Sequence, residues 1–340
     1  MDNLMIERIE IFVTGLPVRV QRIFSSGSYD TGPAERLLSK PVLVKIHAQG
    51  VVGCAQIRPI SPGHFVADTT HSVVAAIKEI YGPGLIGKSI FDIESINEMF
   101  DARLANNPAA RAVLDIAVRD AMGKALNQPL YNLLGGCCEP RIPLEWSVSM
   151  ADDVSTMVAE ARRAVDEFGI RVLCLKMADR RGWRYDVKVF ETVRLAVGDA
   201  VMIGVDPNTG WTMADALAEA RAVDAYCIKL YKIGGITPAK KIAGIAEAAN
   251  IQLKCGGLAV QSQLEAAAGA HFYASTPESR MMGAAEFVFG LNATAKDPIC
   301  PESDFVVRDG HVDVPHGPGL GINVDEAALK RHTLMYESVG

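Results

Sequence analysis

The sequence predicts an α/β chain in which an α+β segment is followed by a parallel sheet with helices outside it. Beyond Pro143, strand-like and helix-like runs alternate. Before about residue 130 they do not: strands come first, then helices. Length and composition agree, since 340 residues at 49% hydrophobic and 22% charged give about two domains with ample core material.

Ile6, Ile9, Ile11 and Val13 open a first strand. Leu43, Val44 and Ile46 form a second, and Val51, Val52 and Ala55 a third, with Gln49-Gly50 turning between these two. Between the first and second, Ser25 to Pro33 reads as a polar, glycine-rich loop, too long for a hairpin turn and of a kind that is often functional. Residues 68–126 turn helical. Asn107 as N-cap and Pro108 at the first position start a helix that keeps Ala110, Val113, Leu114, Ala117 and Ala121 at helical spacing. Beyond Pro143 the strand runs are Leu144–Val148, Val172–Met177, Val201–Val205, Tyr226–Tyr231 and Ile251–Cys255. One helical run carries Met157, Val158, Ala161 and Val165, and another Val187, Phe190, Val193 and Val197. A third follows Trp211 with the capping box Thr212…Asp215, and a fourth begins at Thr237-Pro238. Periodicity leaves open whether the sheet is doubly wound or closed into a barrel.

A net charge of −6 argues against nucleic-acid binding and against a polybasic membrane reader. No apolar run reaches the ~18 residues of a membrane span. Met1 to Glu10 has no basic n-region, so no secretory signal is expected. Seven cysteines without CxxC spacing read as reduced thiols of a cytoplasmic protein. The histidines show neither HxH nor HxxxH spacing, and His271 reads as structural.

In a barrel, function sits at the C-terminal ends of the strands. Lys176 lies near the end of one strand, and Asp206-Pro207-Asn208 ends the next. Lys229 lies within the following strand, and Glu286 sits in the apolar run Ala284–Phe287. A lysine inside a buried strand is costly unless paired or functional, and two on one rim favour function. Gly256-Gly257 reads as a place of close approach.

Several motifs occur together. They are Leu114-Asp115-Ile116-Ala117 with Arg119-Asp120 and Gly123-Lys124-Ala125, then Pro129-Leu130-Tyr131 and Leu133-Leu134-Gly135-Gly136. Val205-Asp206-Pro207-Asn208, Ile228-Lys229-Leu230-Tyr231-Lys232-Ile233-Gly234-Gly235 and Gly317-Pro318-Gly319-Leu320-Gly321 follow. Together they resemble the mandelate racemase/muconate lactonizing enzyme family of the enolase superfamily, in its muconate lactonizing enzyme-like subgroup. The resemblance implies a modified (β/α) TIM-type barrel with an N-terminal α+β capping domain. Residues 1–130 would form the cap, 131–310 the barrel, and 311–340 a segment returning to the cap.

The activity it implies is Mg²⁺-dependent abstraction of the proton α to a carboxylate of a small acid or amino-acid derivative. Removing that proton adds a second negative charge, which a divalent cation offsets. Lys176 corresponds to the second lysine of the family's second-strand Lys-x-Lys motif, and Lys229 to its sixth-strand lysine. Facing the α-carbon from opposite sides, they suit a racemase or epimerase. Cycloisomerisation, and dehydration of a hydroxy acid or hydroxyproline-like substrate, share the first step. Asp206 corresponds to the first metal ligand. Glu286, Asn208 and Gly256 at the barrel mouth, with Tyr29 and Arg58 from the cap, are the expected substrate contacts. A closed homo-oligomer is expected.

Three departures stand out. Cys174 replaces the motif's first lysine, removing a positive neighbour that would depress the Lys176 pKa. Gly53-Cys54-Ala55-Gln56 stands where an aromatic residue and a Glu are usual. The strands that should carry the other two metal ligands, the fourth and fifth of the barrel, have no counterpart. At ~31 residues per βα unit, the roughly 170 residues from Pro143 to about 310 make five or six units, so about 50 residues are missing. A barrel truncated in this way has two unpaired edges. Three readings follow: an enzyme whose sequence lacks a segment, a shortened and inactive relative without the metal, or a Schiff-base enzyme at Lys229. The first is favoured.

Overall fold

The computed structural model describes residues 4–15, 21–25, 27–30, 40–59, 68–206, 225–248, 251–257, 262–293 and 295–340. The chain opens with β1 (Ile6–Thr14), β2 (Gln21–Phe24), β3 (Gly27–Asp30), β4 (Val42–Ala48) and β5 (Val51–Ile57). β4 pairs antiparallel with both β1 and β5. On β1, Ile9, Ile11 and Val13 are buried, as strand alternation requires. β2 and β3 pair as a hairpin, Gln21 opposite Asp30 and Phe24 opposite Gly27. This corrects the expectation of a plain loop at residues 27–30; residues 26 and 31–33 of that expected loop lie outside the described residues. Cross-strand pairing satisfies backbone groups of a segment whose composition alone signals a loop.

The helices that follow are α1 (Thr70–Ala75), α2 (Gly82–Leu85), α3 (Ile93–Arg103) and α4 (Pro108–Ala125), with a π-helical turn at Ala76–Tyr81. Pro108 does begin α4, but Asn107 is left-handed and makes no side-chain cap. Asp68 Oδ2 instead accepts from the N–H of Ala109 at 3.1 Å. α4 packs on β4 and β5. A Cβ at Gly53 would stand 2.1 Å from the Ala117 carbonyl oxygen, so glycine is what lets the helix cross β5 this closely.

The second half is a run of β/α units. β6 (Arg141–Pro143) and β7 (Glu145–Val148) lead to α5 (Val154–Phe168), then β8 (Val172–Lys176), α6 (Trp183–Val197) and β9 (Met202–Asp206). After the gap come β10 (Ala225–Ile228), α7 (Leu230–Ile233), α8 (Ile236–Ala248), β11 (Gln252–Cys255) and α9 (Gln263–Ala274). β7, β8 and β9 pair in parallel, as do β10 and β11. Parallel bridges Leu144–Ala285 and Gly256–Glu286 join the two groups through residues 285–286. The barrel wall therefore runs β9, β8, β7, the 285–286 segment, β11, β10. Among the described residues, β9 pairs only with β8 and β10 only with β11. Along β9, Met202 is 65% and Val205 40% exposed, unusual for a barrel strand. The capping box at Thr212…Asp215 lies outside the described residues.

The chain ends with β12 (His311–Asp313), α10 (Glu326–His332) and β13 (Thr333–Val339). β12 pairs with β6, and β13 returns to pair antiparallel with β1. The 115–124 motif explains how these parts are held. Asp120, fully buried, accepts from the N–H groups of Cys54 (2.7 Å) and Leu320 (2.7 Å) and pairs with Lys124. Asp115 accepts from the N–H groups of Ile236 and Thr237, capping α8. A Cβ at Gly235 would lie 2.6 Å from the Asp115 carboxylate. Among the described residues, no helix is long and apolar enough to cross a membrane.

Candidate active site

Strands β8, β9, β10 and β11 and the 285–286 segment deliver charged side chains to one mouth of the barrel. Lys176 ends β8 and lies in register with Asp206 at the end of β9. Its Nζ donates to Asp206 Oδ2 at 2.6 Å and stands 3.5 Å from Glu286 Oε1. Lys229 follows β10, so it ends the strand where the sequence predicted a run on to Tyr231. Its Nζ donates to Glu286 Oε2 at 3.1 Å and to the Gly257 carbonyl at 3.0 Å.

The two glycines are the close approach expected of them. A Cβ at Gly256 would sit 2.8 Å from Lys229 Cγ, and one at Gly257 2.3 Å from the Glu286 carbonyl oxygen. Lys176, Asp206, Lys229, Gly256 and Glu286 are thus brought together. Arg58, at the end of the capping strand, is fully buried and exerts its charge on Glu265. The backbone of Tyr29 lies on β3. The Tyr29 side chain and Asn208 lie outside the described residues.

Sequence reasoning missed three residues here. Lys254 on β11 donates to both oxygens of Glu145 on β7, at 2.7 and 2.8 Å. Lys254 carries the signal that singled out Lys176 and Lys229, a lysine inside a barrel strand. Glu145 carries the mirror signal, an acid at the start of an apolar run. Glu265, in the first turn of α9, is the third.

The charges settle each other. Burial alone would raise the Glu286 pKa, but Lys229, Lys176 and Lys254 outweigh it and hold it at about 2. Burial alone would lower Lys229, and Glu286 outweighs it in turn, holding that ammonium above its ordinary value. Lys176 is raised in the same way, burial being overcome by Glu286 first. Lys176 also lacks the positive neighbour that Cys174 replaces. Both lysines are protonated in this arrangement because a carboxylate, not a cation, is their nearest neighbour.

The barrel also holds a cluster that could accept a metal by spacing. Ligand atoms of Glu145, Cys174 and Glu286 lie within 4.8 Å of one another. Its chemistry does not suit Mg²⁺, which takes hard oxygen ligands. Burial pushes the Cys174 thiol up to about 12, so it stays protonated, and lysines already occupy both carboxylates. Asp206 is the one expected Mg²⁺ ligand among the described residues, and it pairs with Lys176. The described residues therefore do not complete a magnesium site.

Comparison with known proteins follows the same lines. Residues 36–135 match the family model described as mandelate racemase / muconate lactonizing enzyme, N-terminal domain. Residues 156–226 and 214–328 match the one described as enolase C-terminal domain-like. The N-succinyl-L-Arg/Lys racemase of Bacillus cereus is 28% identical over 393 residues, covering 98% of this chain and 99% of the relative. That alignment is longer than the 340 residues of the chain, so part of the relative faces gaps. The muconate cycloisomerase 1-1 of Acinetobacter lwoffii is 26% identical, covering 98% of this chain and 97% of the relative. The crystal structure of the Bacillus cereus racemase superimposes with a TM-score of 0.86 at 27% identity, covering 99% of this chain and all of that one. The muconate lactonizing enzyme of Pseudomonas fluorescens gives 0.85 at 22% identity, covering 98% of this chain and all of that one, and shows the shared fold.

Proposed function

The chain belongs to the mandelate racemase/muconate lactonizing enzyme family of the enolase superfamily, and from that premise we propose that it abstracts the proton α to a carboxylate of a small acid or amino-acid derivative. Racemisation or epimerisation is the favoured outcome. The observation that carries this reading is the convergence of Lys176 and Lys229 on Glu286 from two separate strands.

In the proposed reaction, one lysine in its neutral form takes the α-proton. The other, as an ammonium, returns a proton to the opposite face, so the configuration inverts and the proton count balances. Glu286 holds both ammonium groups at the mouth until substrate arrives. A substrate carboxylate there competes for the same N–H donors, and which lysine loses its proton depends on which stays paired. Gly256, Arg58, Tyr29 and Asn208 are proposed as substrate contacts.

The division into a cap (1–130), a barrel (131–310) and a returning segment (311–340) is part of this reading. So is a missing stretch between β9 and β10 that would carry the two remaining acidic ligands for Mg²⁺. The exposed β9 and the long alignment support that stretch. They equally support a second reading, a shortened relative without the chemistry. A small-molecule carboxylate is the proposed substrate and a homo-oligomer the proposed assembly.

The deciding experiment follows deuterium uptake at the α-carbon of small acids and amino-acid derivatives in D₂O with Mg²⁺. Exchange that needs Lys176 and Lys229 supports the first reading. No exchange with any of them supports the second.

A further inference from the structure

Glu265 is a carboxylate without an evident task. Ser262 and Glu265 have the spacing of a capping box, and half of the box forms: Ser262 Oγ accepts from the Glu265 N–H at 3.2 Å. The reciprocal bond, from the Ser262 N–H back to the Glu265 side chain, is absent among the described residues. Glu265 Oε2 is buried and accepts no hydrogen bond. A buried carboxyl oxygen left without a partner costs free energy whether the group is charged or protonated, so its retention asks for a ligand.

Glu265 lines a pocket with Tyr231, Gly256, Gly257, Ala266 and Phe287. Gly256 and Gly257 also touch Lys229 and Glu286, so the pocket adjoins the side of the site where Lys229 stands. Its volume is about 20 Å³, room for one small polar group. Among the described residues the walls are glycine backbone and apolar side chains with Tyr231 and Ser262, and Glu265 is the acid in the lining. Burial raises Glu265 to about 8, although the charges of Arg58 and Lys229 pull the other way. Neither cation satisfies Oε2. Lys229 is spent on Glu286 and Gly257.

We infer that Glu265 selects the substrate of the proposed reaction by holding a protonated amine borne on or beside the α-carbon. The inference rests on the proposed function and narrows its substrate class to free amino or imino acids, rather than N-acylated ones. An ammonium supplies both the positive charge and the N–H donor that Oε2 lacks. An amide nitrogen carries no charge, and its acyl group exceeds the space.

The experiment compares the full chain with Glu265→Gln, both with Mg²⁺. The probes are the common L-amino acids, proline included, and their N-acetyl derivatives. Deuterium uptake at the α-carbon is read by NMR and binding by calorimetry. Wild type should act on or bind free amino acids in preference to N-acetyl forms. Glu265→Gln should weaken that preference by about tenfold to a hundredfold, the value of one charged hydrogen bond. Preference for N-acetyl forms, or an unchanged preference in the variant, overturns the inference. Binding of free amino acids that is lost in the variant, without exchange in either protein, sinks the proposed reaction and leaves the inference standing. No binding by either protein overturns both. Folding of the variant is checked by its melting temperature. A carboxyl raised on folding is least costly below 4.5 and most costly above 8, so the variant should melt higher than wild type at alkaline pH.

Discussion

Lys176 and Lys229 meet across a single carboxylate, one 3.5 Å from Oε1 of Glu286 and the other 3.1 Å from Oε2. One anion therefore governs two candidate bases, and substitution of either lysine is felt by the other.

Lys176→Ala and Lys229→Ala should each lower α-proton exchange by about 10² to 10⁴, the usual range for a general base. Isotope uptake measured separately from each enantiomer checks this. Loss with one enantiomer per variant assigns a face to each lysine, and undiminished exchange in both removes the two-base mechanism.

Glu286 makes stability depend on acid. Its carboxyl falls from 4.5 to about 2 on folding, so its contribution is complete above 4.5 and is lost as pH drops towards 2. That contribution is roughly 3 kcal/mol from the size of the shift. Glu286→Gln should be less stable at neutral pH and should have a flatter profile between these limits. Urea denaturation from pH 2 to 7 reads both.

His271 acts higher in the range. Burial lowers its pKa from 6.5 to about 4, and its ring accepts from the Tyr131 N–H and meets the Leu320 carbonyl. The folded state needs the neutral ring, so this stability is full above 6.5 and declines as pH falls towards 4. His271→Gln should remove that decline. A decline of the same size in the variant would place the sensitive group elsewhere.

Asp120→Ala should cost about 3–5 kcal/mol, the penalty for breaking a buried ion pair. It strands Lys124 and frees the N–H groups of Cys54 and Leu320 together. Chemical denaturation gives the loss. A change below about 1 kcal/mol, the scale of surface pairs, would mean that water replaces the carboxylate.

The missing stretch has a mass. If about 50 residues belong between β9 and β10, the protein from its native source should weigh about 5–6 kDa more than the 36.5 kDa of this chain. Intact mass spectrometry decides. An equal mass would favour the shortened relative.

Much of this was legible beforehand because it rests on period and position. The barrel strands were found from apolar runs, and Lys176, Asp206, Lys229 and Glu286 from charges placed inside them. Glu265 was not, because its sequence setting is that of an ordinary helix cap and only the unmade hydrogen bond sets it apart. The β2–β3 hairpin was missed because polar, glycine-rich composition describes loops and edge hairpins alike. The lysine protonation states were not legible in the sequence, because they depend on Glu286, which comes close only through folding.

The return of β13 to β1 ties the first sheet to a stretch synthesised far later. At about 5–20 residues per second, β1 leaves the ribosome roughly 15–60 seconds before residues 333–339 exist. Through that interval the β1 edge waits, a template for any extended chain nearby. Chaperone cover during synthesis, and an unencumbered C-terminal end, are therefore conditions on the yield of the first domain. A fusion placed after residue 340 should disturb the cap before it disturbs the barrel.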